Sequence, residues 1–159
     1  MEITIDSELD NLEVWLKYVT RNADRKMVKK IVRATALEFI GRVIKRTPVD
    51  TGRARAGWTA LMQIEGMPLP MGGSGSFNAS DAQKGLGESS AKVTDDYVEV
   101  VNGVPYIVQL EYGSSAKEPA GMVRISLFEM TDRGVTHSRM IEEFEELLKD
   151  ANRHANWHH

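Results

Sequence analysis

The 159-residue sequence contains no cysteine, which excludes a disulfide framework, a thiolate nucleophile and a cysteine metal site. No apolar run approaches the roughly 20 residues that span a bilayer, so we expect no membrane segment. The acidic start MEITIDSELD lacks the basic and apolar regions of a secretory signal. These absences favour a protein that is made in the cytoplasm and not exported by that route.

What is present is typical of a soluble globular protein, with 42% hydrophobic and 27% charged residues. The length suits one domain and is short for two. We therefore predict a single domain over residues 1–159, with a flexible Gly/Ser-rich arm at about 66–90 and a frayed tail at about 152–159. A long loop of this kind is usually either functional or disordered.

The net charge of −3 hides an uneven distribution, because residues 17–55 hold 12 Lys or Arg against 3 Asp or Glu. Such polarity can orient a subunit in an assembly or turn one surface toward nucleic acid, and a solvated basic helix face is the plain alternative. The sequence thus leaves open a DNA-binding accessory module that uses the basic helix 21–46. Sequence-specific recognition is not predicted, because no aromatic side chains alternate with the basic ones.

Hydrophobic periodicity predicts two helices at the start of the chain, after a short strand at 3–5. The first helix is capped by Asp6 or Ser7, and its apolar face consists of Leu9, Leu12, Leu16 and Val19. The second helix covers about 23–46 and stops before Pro48. It carries a second apolar stripe made of Leu37, Ile40 and Ile44. We expect this stripe to pack on a second surface.

The rest of the chain predicts strands and shorter helices. Residues 54–63 and 92–101 read as strands, and Pro105 as the first residue of a helix through Tyr112, although Ile107 and Val108 also suit a strand. Further helices are expected at about 119–131 and from 136 or 138, the last with a stripe of Ile141, Phe144, Leu148 and Ala151. The fold class is therefore α+β, a small, mainly antiparallel sheet flanked by a long N-terminal helix and C-terminal helices.

Catalytic and metal-binding motifs are weak in this sequence. Asp50-Thr51-Gly52 matches the DTG of retroviral-type aspartic proteases, but it follows a long helix and precedes two arginines, so the protease is a remote alternative. GGSGS is not followed by the GK[ST] of a phosphate loop, and the four histidines have no HExxH spacing. We predict no catalytic residue, no metal and no cofactor, and hence no enzyme.

Three blocks stand in a distinctive order: PVDTGRAR with a following tryptophan, then a glycine-rich stretch, then PYIVQLEYG and PAGMV. In this order the chain resembles the neck or tail-completion proteins of tailed bacteriophages, including the family of the minor tail protein Z of phage lambda. The resemblance covers about residues 24–130. Its signature residues are Pro48, Asp50, Thr51, Gly52, Trp58, Pro105, Tyr106, Leu110, Glu111, Gly113, Pro119, Gly121 and Met122.

The resemblance implies a structural role at the connector between a DNA-filled head and a tail. Copies would assemble as a ring, a hexamer in our prediction, that completes or joins the tail, within a virion put together in the host cytoplasm. The implied partners are further copies, head-closure or connector proteins, and tail terminator or tail tube proteins. Non-specific contact with genomic DNA in the channel is part of this prediction, and contact with a membrane is not.

Within this resemblance the PVDTGRAR block is interpreted as the junction between the long helix and the sheet. The DTG turn reverses the chain, Trp58 begins the sheet, and the two arginines stand at its exposed edge. Glu111 is a candidate either to pair with Arg53 or to cap a turn. The residues expected to face a neighbouring subunit or DNA are Arg25, Lys29, Lys30, Arg33, Arg53 and Arg55.

Overall fold

The computed structural model describes residues 6–23, 25–68, 78–112 and 121–155. Within these ranges the chain forms eight helices and one two-stranded antiparallel sheet, which confirms the predicted α+β class. The predicted strand at 3–5 lies outside the described residues. The elements are α1 Asp6–Ala23, α2 Arg25–Arg46, α3 Arg53–Ala56, α4 Ala60–Ile64, α5 Ala79–Gly87, β1 Ser90–Val93, β2 Val98–Val101, α6 Ile107–Glu111, α7 Met122–Asp132 and α8 Val135–His154.

Helix α2 is the central strut of the fold, and α1, α7, α8 and the β-hairpin all pack against it. It ends at Arg46, as predicted from Pro48. The last turn is closed by Thr47, whose backbone N–H and hydroxyl both donate to the Val43 carbonyl, at 2.9 and 2.7 Å. Because Thr47 is fully buried, these two hydrogen bonds satisfy polar groups that water cannot reach.

The main core cluster lies between α2, α4 and the inner face of the hairpin. Ile40 and Ile44 of α2 pack with Leu61 and Met62 of α4, and the alternating side chains of both strands cover them. The second stripe of α2 is therefore buried within the chain. The expectation that it waits for a separate surface was wrong, because the hairpin and α4 supply that surface internally.

The predicted strand over 54–63 was wrong. These residues form the short helices α3 and α4 with a turn at 57–59 between them. The apparent alternation arose because buried alanines happen to recur every second residue in α3. Ala, Leu, Met and Gln favour a helix, and Thr59 is the only β-branched residue before Ile64, so local propensity agrees with the helices. Trp58 consequently lies in a turn and does not begin the sheet.

The predicted strand over 92–101 is a hairpin, and its turn at 94–97 went unrecognised in the sequence. The Thr94 hydroxyl accepts hydrogen bonds from the N–H groups of Asp96 and Tyr97, at 3.3 and 3.0 Å. Thr94 N–H donates to the Tyr97 carbonyl at 2.9 Å. This side-chain-to-backbone turn needs only a threonine followed by polar residues, a weaker signal than Asn-Gly.

Several boundaries also differ from the predictions. Helix α6 begins at Ile107, two residues after Pro105, and the strand reading of that segment was wrong. Part of the predicted arm is helix α5, capped by Asn78, whose side-chain oxygen accepts from Ser80 and Asp81 N–H at 2.9 and 3.2 Å. Residues 69–77 of the arm lie outside the described residues. The predicted tail starts too early, because α8 continues to His154 and Ala155 is buried.

The apolar stripes predicted for α1 and α8 are only partly buried: Ala151 of α8 is fully buried, whereas several larger side chains of both stripes stay exposed. On α1, Leu12 and Leu16 are 39% and 47% exposed, and on α8, Ile141 and Phe144 are 49% and 46% exposed. The two helices contact each other through polar and aromatic side chains: the Trp15 indole donates to Asn152 at 2.8 Å, and the Tyr18 ring stacks on His154. Amphipathic helices thus surround α2 with part of their apolar surface still facing solvent.

Candidate functional site

The DTG turn connects the end of α2 to α3 and to the start of α5. Gly52 is buried and adopts φ 91°, a left-handed conformation that favours glycine. Its carbonyl accepts from Ala56 N–H, and the Thr51 carbonyl accepts from Asn78 N–H, both at 2.9 Å. The turn therefore holds three elements together through its backbone, and its left-handed conformation explains the glycine without invoking catalysis.

The setting of Asp50 disfavours the aspartic protease. A shared-proton dyad requires two carboxylates enclosed together, whereas Asp50 is exposed in a turn between two helices of a mainly helical chain. Among the described residues there is also no group of three or more His, Cys, Asp or Glu side chains that could hold a metal ion.

The two arginines of the PVDTGRAR block are held inside the chain. The Arg53 guanidinium pairs with Glu88 just after α5, with its Nε 3.0 Å from a carboxylate oxygen, and this pairing raises the pKa of Arg53. Arg55 donates to the Thr47 carbonyl at 2.9 Å, and burial lowers the pKa of its guanidinium. Both side chains thus fasten the turn to its surroundings.

Asn102 links the end of the hairpin to α3. Its side-chain amide donates to the Ala54 carbonyl at 2.9 Å, while its oxygen accepts from Val104 N–H at 3.2 Å. Tyr106, at the start of α6, lies in the same region, where burial raises the pKa of its phenol and Arg53 opposes that shift. The signature blocks around 50 and 105 are therefore neighbours in space.

Two backbone approaches in this region require glycine. A Cβ at Gly85 would lie well under 3.0 Å from the Arg53 carbonyl oxygen, and one at Gly103 would meet the Glu88 carbonyl oxygen as closely. Since backbone atoms cannot swing aside, α3, α5 and the segment before α6 pack at a separation that excludes any side chain at these positions.

The Glu111 carboxylate caps the N-terminus of α7. It accepts hydrogen bonds from the N–H groups of Met122, Val123 and Arg124, at 2.9, 2.8 and 3.0 Å. The Arg124 side chain donates to the same carboxylate at 3.2 Å and to the Glu111 carbonyl at 2.7 Å. An anion is favourable at a helix N-terminus. Glu111 therefore caps a helix and pairs with Arg124, and pairing with Arg53 was the wrong alternative.

The described residues of the blocks that carry the resemblance thus fall into two groups of contacts, one around the DTG turn and Tyr106 and one around Glu111 and α7. A family model for "Bacteriophage HK97-gp10, putative tail-component" matches residues 15–113, more than half of the sequence. The chain belongs to the HK97-gp10-like family of bacteriophage tail components. Comparison with curated proteins and with solved structures gives no match for it.

Membership of this family confirms the resemblance to phage tail proteins that the signature blocks predicted. A tail component is a structural part of the virion, which points to a non-enzymatic role. In the described part of this tail component, no helix is long and apolar enough to cross a membrane. The family match ends at 113, so α7 and α8 lie beyond it although Glu111 connects α6 to α7.

Three positive charges in the first half of α2 in this tail component lie close to carboxylates of the same chain. Lys29 pairs with Asp95 of the hairpin turn at 2.7 Å. Lys30 lies 3.1 Å from both Glu143 and Glu146 of α8, and these two carboxylates raise its pKa. One turn further along the helix, Arg33 lies 3.7 Å from Glu65. Lys29, Lys30 and Arg33 are therefore paired within the chain and do not form an open cationic face.

A second charged group lies at the C-terminal half of α2, in a groove of about 460 Å³. Arg42 pairs with Glu38 at 2.8 Å and with Glu129 of α7 at 3.4 Å, and Arg46 also pairs with Glu129. The Arg42 and Arg139 guanidinium groups lower the pKa of Glu38. Side chains of both charges line the groove. This arrangement is typical of an ion-pair network that connects α2, α7 and α8, and not of an anion-binding site.

The structure brings most of the sequence-predicted residues into two regions. The residues around the DTG turn meet those around 105, and Glu111 meets the start of α7. Pro48 follows α2, Leu110 is partly buried on α6, and Met122 is fully buried beside Thr47, its sulfur 3.2 Å from the Thr47 hydroxyl. Gly113, Pro119 and the Arg25 side chain lie outside the described part of the structure.

Sequence reasoning missed Gly85, Glu88, Asn102 and Arg124, which complete these regions. Asn102-Gly103 was visible only as a turn signal, since a turn asparagine and one that bridges to α3 look the same in sequence. The acidic residues that neutralise α2 are far away in the chain, so no local pattern links them to their partners.

Trp58 tests the new placement of the turn between α3 and α4. It is partly buried against the main core cluster, and its indole N–H is enclosed with no acceptor among the described residues. Trp58→Ala should lower the free energy of unfolding by roughly 2 kcal/mol, below the usual range for a fully buried aromatic side chain. Trp58→Phe should lose less than about 1 kcal/mol, because it keeps the ring and removes an unpartnered polar group.

Urea unfolding of the wild type and the two variants measures these effects. Equal midpoints for Trp58→Ala and the wild type would show that this side chain does not contribute to the core. A larger loss for Trp58→Phe than for Trp58→Ala would show instead that the indole N–H has a partner.

Proposed function

We propose that this tail component assembles as a ring, a hexamer, at the junction between the DNA-filled head and the tail, where it completes or joins the tail. The observation that carries the proposal is that many large apolar side chains of this 159-residue chain are exposed. The exposed apolar side chains lie on α6 and α7, and on α1 and α8, which pack against each other.

The most exposed apolar surface lies on α6 and α7. Val108 on α6 and Tyr112 just after it are 60% and 72% exposed, and Leu127 and Phe128 on α7 are 57% and 67% exposed. The two helices pack together, and the Arg124 guanidinium lies 5.0 Å from the Tyr112 ring centroid, which links α6 to the same face of α7. Exposed aromatic and aliphatic side chains grouped with an arginine are typical of a protein interface.

The exposed stripes of α1 and α8 provide further contact surfaces. A ring subunit needs one surface for each neighbour in the ring and others for the proteins above and below it. We assign these to further copies, to a head-closure or connector protein, and to a tail terminator or tail tube protein. Assembly takes place in the host cytoplasm.

Contact with DNA in the channel is a non-specific and secondary part of this proposal. Salt-dependent DNA affinity comes from cations that neutralise phosphates, and the intrachain carboxylates already neutralise Lys29, Lys30 and Arg33. The same pairing removes the main support for the alternative of a DNA-binding accessory module. A steep salt dependence of binding to a plain duplex would restore that alternative.

Silencing this gene in the phage genome that carries it tests the proposal. We expect electron microscopy to show DNA-filled heads beside separate or incomplete tails, and a plasmid-encoded wild-type chain to restore joined virions. Normal joined virions in the silenced phage would contradict the proposed function.

Variants in the same complementation test examine the exposed helix surface. Phe128→Glu should abolish rescue, because it places a charge at the centre of the α6–α7 surface without touching the core. Gln83→Glu is the control, because Gln83 is exposed on α5 and the substitution adds the same charge away from the α6–α7 surface. Equal rescue by both variants would separate this surface from assembly.

A further inference from the structure

The β-hairpin is the only sheet in the described part of the chain, and it consists of two four-residue strands. One face, formed by Ala91, Val93, Val98 and Val100, packs on the core cluster. The other face turns Ser90, Lys92, Glu99 and Val101 toward solvent, following the alternation of a strand. Among the described residues, each strand therefore has one neighbouring strand and one edge without a strand beside it, and helix α4 lies close to β1.

The phase of the ladder shows which backbone groups lie at those edges. The bond from Thr94 N–H to the Tyr97 carbonyl makes these two residues a hydrogen-bonded pair. Pairs alternate along an antiparallel ladder, so Lys92 and Glu99 also bond to each other, and the pairs on either side do not. The N–H and C=O groups of Ala91, Val93, Val98 and Val100 thus point away from the partner strand.

Those outward groups have no backbone partner among the described residues. Open strand edges of this kind are templates for pairing with another chain. A two-stranded sheet is also only marginally stable by itself. Addition of a strand to either edge would satisfy backbone groups and extend the apolar face that covers the core.

Charge decides which edges can meet. The solvent-facing pair in the middle of the hairpin is Lys92 on β1 opposite Glu99 on β2. Joining two copies through β1 and β1 would bring the two Lys92 side chains together, and joining them through β2 and β2 would do the same for Glu99. Like charges on neighbouring strands are destabilising, and opposite charges are favourable. Only a contact of β1 with β2 is complementary.

We propose that the hairpin edges join neighbouring copies of this chain, with β1 of one copy pairing antiparallel to β2 of the next. The contact is heterologous, since it uses a different edge on each side. Repeated contacts of this type form a ring when the rotation between neighbours closes, and an open filament when it does not. The inference deepens the proposed ring and rests on it. It adds the surface and polarity of the contact: a continuous antiparallel sheet that passes from subunit to subunit.

Charge exchange between two variants tests the proposal. Lys92→Glu places glutamate beside Glu99 of the neighbouring copy, and Glu99→Lys places lysine beside Lys92. Each variant alone should associate at least about tenfold more weakly than the wild type at low salt. An equimolar mixture should regain association, because every β1–β2 contact can then alternate between oppositely charged strands.

The mixture separates assembly from folding. Each variant also disturbs the pair within its own hairpin, and mixing cannot repair that pair, so recovery shows that both subunits are folded and that the contact lies between copies. Asp96→Lys is the matched control, since it changes the charge of an exposed hairpin-turn residue outside the strands. Sedimentation velocity of the full chain over a concentration series measures all four proteins.

Three results would overturn the hairpin contact. Both single variants could associate as the wild type does, the mixture could stay as weak as its components, or the wild-type chain could remain monomeric to its solubility limit. In the first two cases a wild-type ring shows that copies meet through another surface. In every case the silenced phage reports independently on the head–tail role, so that role can stand when the hairpin contact fails.

Discussion

Glu111→Ala should lower the free energy of unfolding by about 3 kcal/mol, mainly by uncapping α7. The carboxylate serves three backbone N–H groups and the Arg124 guanidinium, and its side chain is only 13% exposed. Hydrogen bonds to a charged group contribute about 1.5–3 kcal/mol each but are not additive, and water replaces part of the loss at Arg124. The effect should therefore be larger than that of one bond and smaller than the sum.

Two further variants make this result specific. Glu111→Gln retains an acceptor oxygen without the charge and should lose about half as much. Glu146→Ala removes a carboxylate whose ion pair with Lys30 is largely exposed, and should change the free energy of unfolding by less than about 1 kcal/mol. If Glu111→Ala and Glu146→Ala unfold at the same urea concentration, the cap does not stabilise the fold.

Gly85→Ala should destabilise the protein by roughly 2–3 kcal/mol, the upper part of the range for overpacking. The new methyl group would meet the Arg53 carbonyl oxygen, so α5 must move away from α3 and loosen the pairing of Arg53 with Glu88. The same substitution at an open helix position adds helix propensity and no clash.

Gly87→Ala supplies that comparison within the same helix. Nothing lies within 4 Å of a Cβ at Gly87, so this variant should match or slightly exceed the wild type in stability. Urea unfolding monitored by circular dichroism measures both variants. Equal stability of the two would mean that α3 and α5 can separate without loss, and that the close approach at Gly85 does not hold the DTG turn.

The pairing of the positive charges of α2 explains why a local excess of basic residues does not by itself identify a DNA-binding face. Residues 17–55 do hold an excess of positive charge. However, α8, α7 and the hairpin turn bring carboxylates to it, and one of these lies 116 residues away along the chain. An uneven charge distribution along a sequence can therefore become internal pairing in the fold. Only charges that remain unmatched in three dimensions are available to DNA or to another subunit.

The sequence by itself determined those features that depend on neighbouring residues. The long α2 helix and its end before Pro48, the left-handed Gly52 turn, and the helical character of α1 and α8 all follow from local sterics and periodicity. The order of the signature blocks was also sufficient to predict a phage tail protein, which the family match confirms.

Tertiary structure alone decided which faces are buried and which partners the side chains find. The alternation at 54–63 suited a strand although local propensity favoured helices, and the two short helices pack differently: α3 on α5, and α4 on α2 and the hairpin. The stripes of α1 and α8 predicted a buried face, but contacts elsewhere on those helices left them half exposed. Local patterns record the amphipathic character of a segment, whereas the direction of its apolar face depends on residues distant in the chain that pack against it.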